Sequence, residues 1–279
     1  MPFEMQSVLA QCTIEDFELV KDLICTKSGF FGSVWDTFNG VRTDLVEQLF
    51  EQYKAERSPE KKQQLMERLE REIRYLGGHD FVTLARRIFS DSLAKNPSGA
   101  SFRTLVDDAS KTLKVKQKAV GTTEHRLKRL TATAIEKMFS ELTEDQQREY
   151  FRKNGVSARD TESILNAIKS NSSHLIQALF LLLDRPVAIK LLSELALGLA
   201  TKILGSAITR SIMELLARIG FPDWLIPMLG PLNVAWIASD VAGPAYRKTV
   251  PILLCLGMAA IRADQKSGDK DWVPDENDA

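Results

Sequence analysis

From Leu175 to Ile261 the chain is dominated by Leu, Ile, Ala and Gly, with charges entering only as isolated residues. A stretch this apolar must be covered, either by protein or by lipid, and that requirement limits the folds open to the chain. A membrane-spanning helix needs roughly 20 consecutive apolar residues. Asp223 and Asp240 enclose 16 residues (224–239), broken by Pro227 and Pro231, and Lys248 and Arg262 enclose 13 (249–261), with Pro251 near their start. Between Lys190 and Arg218 a charge recurs at Glu194, Lys202, Arg210 and Glu214. Stable spans are therefore not expected. The segment reads either as a buried helical hairpin or as one that leaves the bundle to enter a bilayer, with Gly198, Ala200, Gly205 and Thr209 offering small surfaces for close helix contact in both cases.

The rest of the chain supplies the cover. Helix punctuation recurs and period-2 alternation is nearly absent. Thr13 followed by Asp16 reads as a capping box opening a helix to about Cys25, with Ile14, Phe17, Val20 and Ile24 on one face. Val41, Leu45, Val46, Leu49, Phe50 and Tyr53 make a second stripe. Ser58–Pro59 starts a charged helix with Leu65, Met66, Leu69, Ile73 and Leu76 inward, stopped by Gly77–Gly78. Further helices are expected at 81–95, 101–115, 122–142, 143–155 and 158–170, the fourth with a capping box of Thr143 and Gln146. Asp184 and Pro186 mark the start of a long apolar helix whose polar or small positions are Lys190, Glu194, Gly198, Thr201, Gly205 and Thr209. Two Gly–Pro steps, Gly230–Pro231 and Gly243–Pro244, mark turns, and a final helix is expected from about Val250 to Asp264, capped by Thr249. The expectation is an all-α multi-helix bundle in which amphipathic N-terminal helices (1–170) surround a hydrophobic C-terminal helical hairpin (172–264), followed by an acidic, disordered tail (265–279).

Charge and cysteine usage narrow the setting. The 279 residues carry 37 basic and 37 acidic side chains, so no net field argues for nucleic acid. Cys12, Cys25 and Cys255 are odd in number and scattered, which suggests neither zinc nor a disulfide framework and fits a reducing, cytoplasmic compartment. Glu4, Glu15, Asp16 and Glu18 stand where a secretory signal would carry a basic start and an apolar run, so secretion by that route is not expected.

No catalytic constellation is visible. His79, His125 and His174 lie at no ligand spacing from one another or from cysteine. Asp80 beside His79 reads as a helix cap before it reads as an acid–base partner. Asp107 and Asp108 are adjacent and diverge on a helix, so they do not share a proton readily. Gly29-Phe30-Phe31-Gly32 lacks the lysine and strand of a phosphate loop, and its aromatics read as anchors of a loop over 26–40. Neither a cofactor nor a metal is expected. The basic run Lys111, Lys114, Lys116, Lys118, Arg126, Lys128 and Arg129, interrupted only by Glu124, reads first as a solvated helix–loop–helix face and second as a contact for anionic lipid head groups. It lacks the aromatic interleaving of a single-strand nucleic-acid site. Tyr246 and Arg247 are expected as a contact pair, with Arg247 capping the carbonyls that end a neighbouring helix or lying over an aromatic ring.

Gly243-Pro244 followed by Ala245-Tyr246-Arg247-Lys248-Thr249-Val250-Pro251 resembles the Gly/Pro-rich run and Ala-Tyr-Arg-x-Thr-Ile-Pro segment of the YaaW-like family of bacterial proteins, a family loosely grouped with ubiquinol–cytochrome c chaperones. Gly77-Gly78-His79-Asp80 is similar to that family's Gly-Gly-Asp/Asn helix junction, with His79 interposed. Asp108 to Val115 is similar to its Lys/Leu-rich element, and Leu9, Cys12, Thr13 and Glu15 to its N-terminus. The resemblance spans residues 5–263 and implies a helical bacterial protein without catalytic motifs. The expected function is thus a non-enzymatic interaction or chaperone-like protein, cytoplasmic and in peripheral contact with the inner membrane, with a protein partner. A membrane-permeabilising effector is the alternative, and a hydrolase of unfamiliar type the remote one.

Overall fold

In a computed structural model of the chain, the described residues are 4–25, 43–78, 100–117, 121–169, 175–204, 210–218, 220–228 and 246–264. They are helical throughout, with no strand among them. The earlier described helices are α1 (Glu4–Ala10), α2 (Ile14–Cys25), α3 (Thr43–Glu56), α4 (Pro59–Gly78), α5 (Phe102–Thr112), α6 (Thr123–Ser140), α7 (Glu144–Lys153) and α8 (Ala158–Lys169). The later ones are α9 (Leu175–Leu182), α10 (Arg185–Leu204), α11 (Arg210–Arg218), α12 (Leu225–Met228) and α13 (Tyr246–Asp264).

The helix starts follow local chemistry. The Thr13 amide donates to Asp16 Oδ2 at 2.8 Å and the Asp16 amide to Thr13 Oγ1 at 3.3 Å, the reciprocal bonds of a capping box. Thr143 and Gln146 repeat the device at α7. Ser101 and Thr122 cap α5 and α6 through the amides of Thr104 and His125. The ends are equally local. Gly155 takes φ +77°, the Gly155 amide bonds the Arg152 carbonyl, and the Val156 amide reaches back to the Phe151 carbonyl, closing a Schellman turn. Gly220 does the same for α11 and delivers Phe221 into the core. At the end of α5 the left-handed position falls on Lys114 (φ 48°), a residue that pays a steric penalty glycine would not.

α13 is the centre of the assembly. It packs most extensively on α10 and α6, then on α2, α4, α5 and α1. Residues from Lys248 to Ile261 are buried without interruption. At about 2 kcal/mol for each fully buried large aliphatic side chain, Val250, Ile252, Leu253, Leu254, Leu256 and Ile261 contribute on the order of 10 kcal/mol before conformational entropy. The approach to α6 is closest at Gly257, where a β-carbon would lie 1.9 Å from Thr131 Oγ1 and 2.9 Å from its Cβ. Gly77 makes a comparably close approach, between α4 and α5, with a β-carbon 1.9 Å from Leu105 Cδ2.

One expectation needs correction. The last helix begins at Tyr246, not Val250, so Thr249 lies inside the helix instead of capping it, and Pro251 occupies the interior. Proline there forfeits a bond to the Arg247 carbonyl, yet burial on every side of residues 248–261 keeps the helix intact. The polar or small positions of α10 fall in different settings. Lys190 faces solvent, but Glu194, Gly198 and Thr201 are buried. The expected helix at 81–95, the aromatic loop at 26–40 and the tail at 265–279 lie outside the described residues.

Candidate functional site

The basic run does not form one surface. Arg126 Nη2 bonds Asp107 Oδ1 at 2.6 Å. Lys128 is only 1% exposed and its ammonium is held by Glu124 at 2.9 Å and by Asp264 of α13. Arg129 is buried as well. Arg126, Lys128 and Arg129 are therefore withdrawn from the expected contact surface, because α6 turns that face toward α5 and α13. Lys111, Lys114 and Lys116 remain exposed, and Lys118 lies outside the described residues. Asp107 and Asp108 diverge into separate pairs, with Arg126 and Lys111. The backbone of Tyr246 and Arg247 lies in α13, but their side chains are outside the described set. On the next residue, Lys248 Nζ donates to the Ile24 carbonyl at 3.3 Å, at the end of α2. Of the histidines, His125 sits in the first turn of α6, and His79 and His174 lie outside the described residues, as does Asp80.

The feature that sequence reading missed is a cavity of about 370 Å³ between the start of α2, the middle of α10, the turn after α11 and the last turns of α13. Leu19, Ala196, Leu197, Phe221, Cys255 and Met258 give it a mostly apolar lining. Its polar groups are Thr13, Glu15, Asp16, Lys190, Ser193, Glu194 and Arg262. Arg262 is committed to Asp16, which is itself the acid of the α2 capping box. Lys190 stands at the rim, 61% exposed, with its ammonium 3.8 Å from Glu194 Oε1.

Glu194 is the unusual member. It is 6% exposed, and burial pushes its carboxyl up from the ordinary range, against the opposing pull of Asn154, Lys190 and Tyr150. Its Oε2 is buried without a hydrogen-bond partner. The floor beneath it is rigid: Tyr150 is fully buried, donates to the Leu191 carbonyl at 2.7 Å, and packs on Phe139, Phe151 and Trp224. Burial also pushes the Cys255 thiol up to about 12 and Cys12 well above its usual value, so neither is a ready nucleophile. Among the described residues no three His, Cys, Asp or Glu side chains are grouped to hold a metal ion. A carboxylate alone in an apolar helix was the available signal for Glu194; nothing in the sequence brings Asp16, Phe221 and Arg262 beside it.

A second feature is exposed. α9 buries Leu175, Ile176, Ala178 and Leu179, yet Leu181 is 77% exposed, and Leu182 and Val187 stand open on either side of the turn into α10. Asp184, Arg185 and Pro186 between them are exposed too. Among the described residues no helix is long and apolar enough to cross a membrane. No family model, curated protein or solved structure matches the chain.

Proposed function

We propose that the chain is a non-enzymatic, chaperone-like interaction protein that engages apolar segments of a protein partner through the α9–α10 corner. The exposure of Leu181, with Leu182 and Val187 beside it, carries this reading. Large aliphatic side chains at an exposed turn cost solvation free energy that a partner would recover. The YaaW-like resemblance of residues 243–251 supports a bacterial source, the scattered Cys12, Cys25 and Cys255 a reducing, cytoplasmic setting, and the exposed Arg185 allows the same corner to rest on the anionic face of the inner membrane.

The test is suppression of aggregation of a thermally unfolding client enzyme by the full chain. Wild type should delay light scattering, and the triple variant Leu181→Ser, Leu182→Ser, Val187→Ser should lose that effect while keeping its helical circular dichroism. Vesicles of phosphatidylglycerol loaded with a self-quenching dye provide the contrast. Binding without leakage adds a peripheral membrane role, whereas leakage would replace this reading with that of a permeabilising effector. Neither client protection nor vesicle binding by wild type would end it.

A further inference from the structure

The cavity has a purpose that the exposed corner does not explain. Its walls hold three carboxylates, Glu15, Asp16 and Glu194, against two cations, Lys190 and Arg262. Arg262 is already neutralised by Asp16. Lys190 is at 3.8 Å from Glu194, beyond hydrogen-bonding range, and is mostly in solvent. The balance at the mouth is thus negative. Among the described residues that line the cavity, the buried polar atom without a hydrogen-bond partner is an acceptor, Glu194 Oε2. An unpaired buried acceptor costs about 1–3 kcal/mol, and a donor that reaches it recovers that cost. Behind it, Leu197, Phe221 and Met258 offer apolar surface, and the volume falls within the range of small-molecule pockets.

We infer that this cavity binds a small amphipathic amine, its ammonium donating to the Glu194 carboxylate and its apolar body lying against Phe221, Leu197 and Met258. An anion of the same shape meets three carboxylates and no uncommitted buried cation. A neutral alcohol supplies the body without the charge-assisted bond. Lys190, held only loosely, withdraws into solvent as the ligand enters. Tyr150 and its aromatic neighbours keep the Glu194 end fixed, so recognition is set by one carboxylate on a rigid helix.

The experiment is isothermal titration of the intact wild-type chain with 2-phenylethylamine, 2-phenylethanol and 3-phenylpropionate at pH 7.5. The amine should bind at least about tenfold more tightly than the alcohol, the difference expected of one charge-assisted hydrogen bond, and the acid should bind weakest. Glu194→Gln should reduce amine affinity about tenfold and leave the alcohol unchanged. Ser193→Phe, at a half-buried wall position, should block both by filling the space. The inference fails if the amine binds no tighter than the alcohol, if wild type binds no amine at about 10 mM, or if Ser193→Phe leaves binding intact. Should Glu194→Gln not fold, the ligand series and Ser193→Phe decide alone. The corner variants at Leu181, Leu182 and Val187 leave this binding unchanged, which keeps it separate from the interaction role.

Discussion

Lys248 Nζ donates to the main-chain carbonyl of Ile24 at 3.3 Å, while fourteen positions further along the same helix Arg262 pairs with Asp16. α13 therefore runs antiparallel to α2 and is pinned at both ends by a cation. One sits where the α2 dipole is negative and the carbonyls lack intrahelical partners; the other holds the acid that caps the α2 start. Lys248→Met keeps the apolar stem and removes the donor from a buried helix end. It should lower the unfolding free energy by about 2 kcal/mol, within the range for hydrogen bonds to charged groups, as read from the urea midpoint at unchanged slope.

At Gly257 α13 lies close against α6. A methyl group there collides with Thr131, which is fully buried and has no open side to move into. Gly257→Ala should cost about 2 kcal/mol through overpacking. Adding Thr131→Ala should recover only part of the loss, since the Leu127 carbonyl lies 3.2 Å from the new carbon. A double-mutant cycle by chemical denaturation measures both.

At Lys114 the prediction has the opposite sign. Its left-handed backbone closes the Schellman turn after α5, with the Val115 amide bonded to the Ser110 carbonyl at 2.7 Å. Lys114→Gly should stabilise the fold by about 1 kcal/mol, visible as a rise in melting temperature. A drop would show that the lysine side chain matters more than its backbone strain.

These cases also separate what residue spacing reveals from what it conceals. Thr13 with Asp16, Thr143 with Gln146 and Gly155 after α7 act on their own helix ends, so their effect is written within a few residues. The fate of the basic run was hidden because it depends on which face of α6 meets α13. Lys128 looks like a solvent lysine until Asp264, in a helix remote in sequence, comes to lie against it. The α13 boundary was misplaced for a related reason: proline and a capping residue argue locally for a later start, and burial of the surrounding turns overrides them.

Two carboxyls give pH dependences of opposite direction. Burial alone would raise Glu124, but hydrogen bonds from Lys128 and Gln11 outweigh it and hold the group below the ordinary range. Its contribution is present above the unfolded-state value and is lost as pH falls through the lowered one. Glu194 is raised, chiefly by burial. The folded state then binds more protons than the unfolded one, so stability declines as pH rises from about 4.5 through the raised value. Unfolding free energies of wild type and Glu194→Gln across pH 4 to 8 should differ progressively over that window, and a flat difference would reject the assignment.

Lys128 supplies the largest expected loss. Lys128→Ala strands Glu124 and Asp264 next to each other in a mostly dry setting and should cost about 3–5 kcal/mol, the range for breaking a buried ion pair from one side. Lys128→Ala combined with Glu124→Gln and Asp264→Asn should be less damaging than Lys128→Ala alone, as thermal melts would show.

Every described helix against which α13 packs precedes it in the chain. During synthesis the inward faces of α1, α2, α4, α5, α6 and α10 consequently emerge before the rod that closes them, and stay wet until residues 246–264 have left the ribosome. The keystone of this bundle arrives after the arch, so the nascent chain passes through a stage in which its greasiest surfaces are bare.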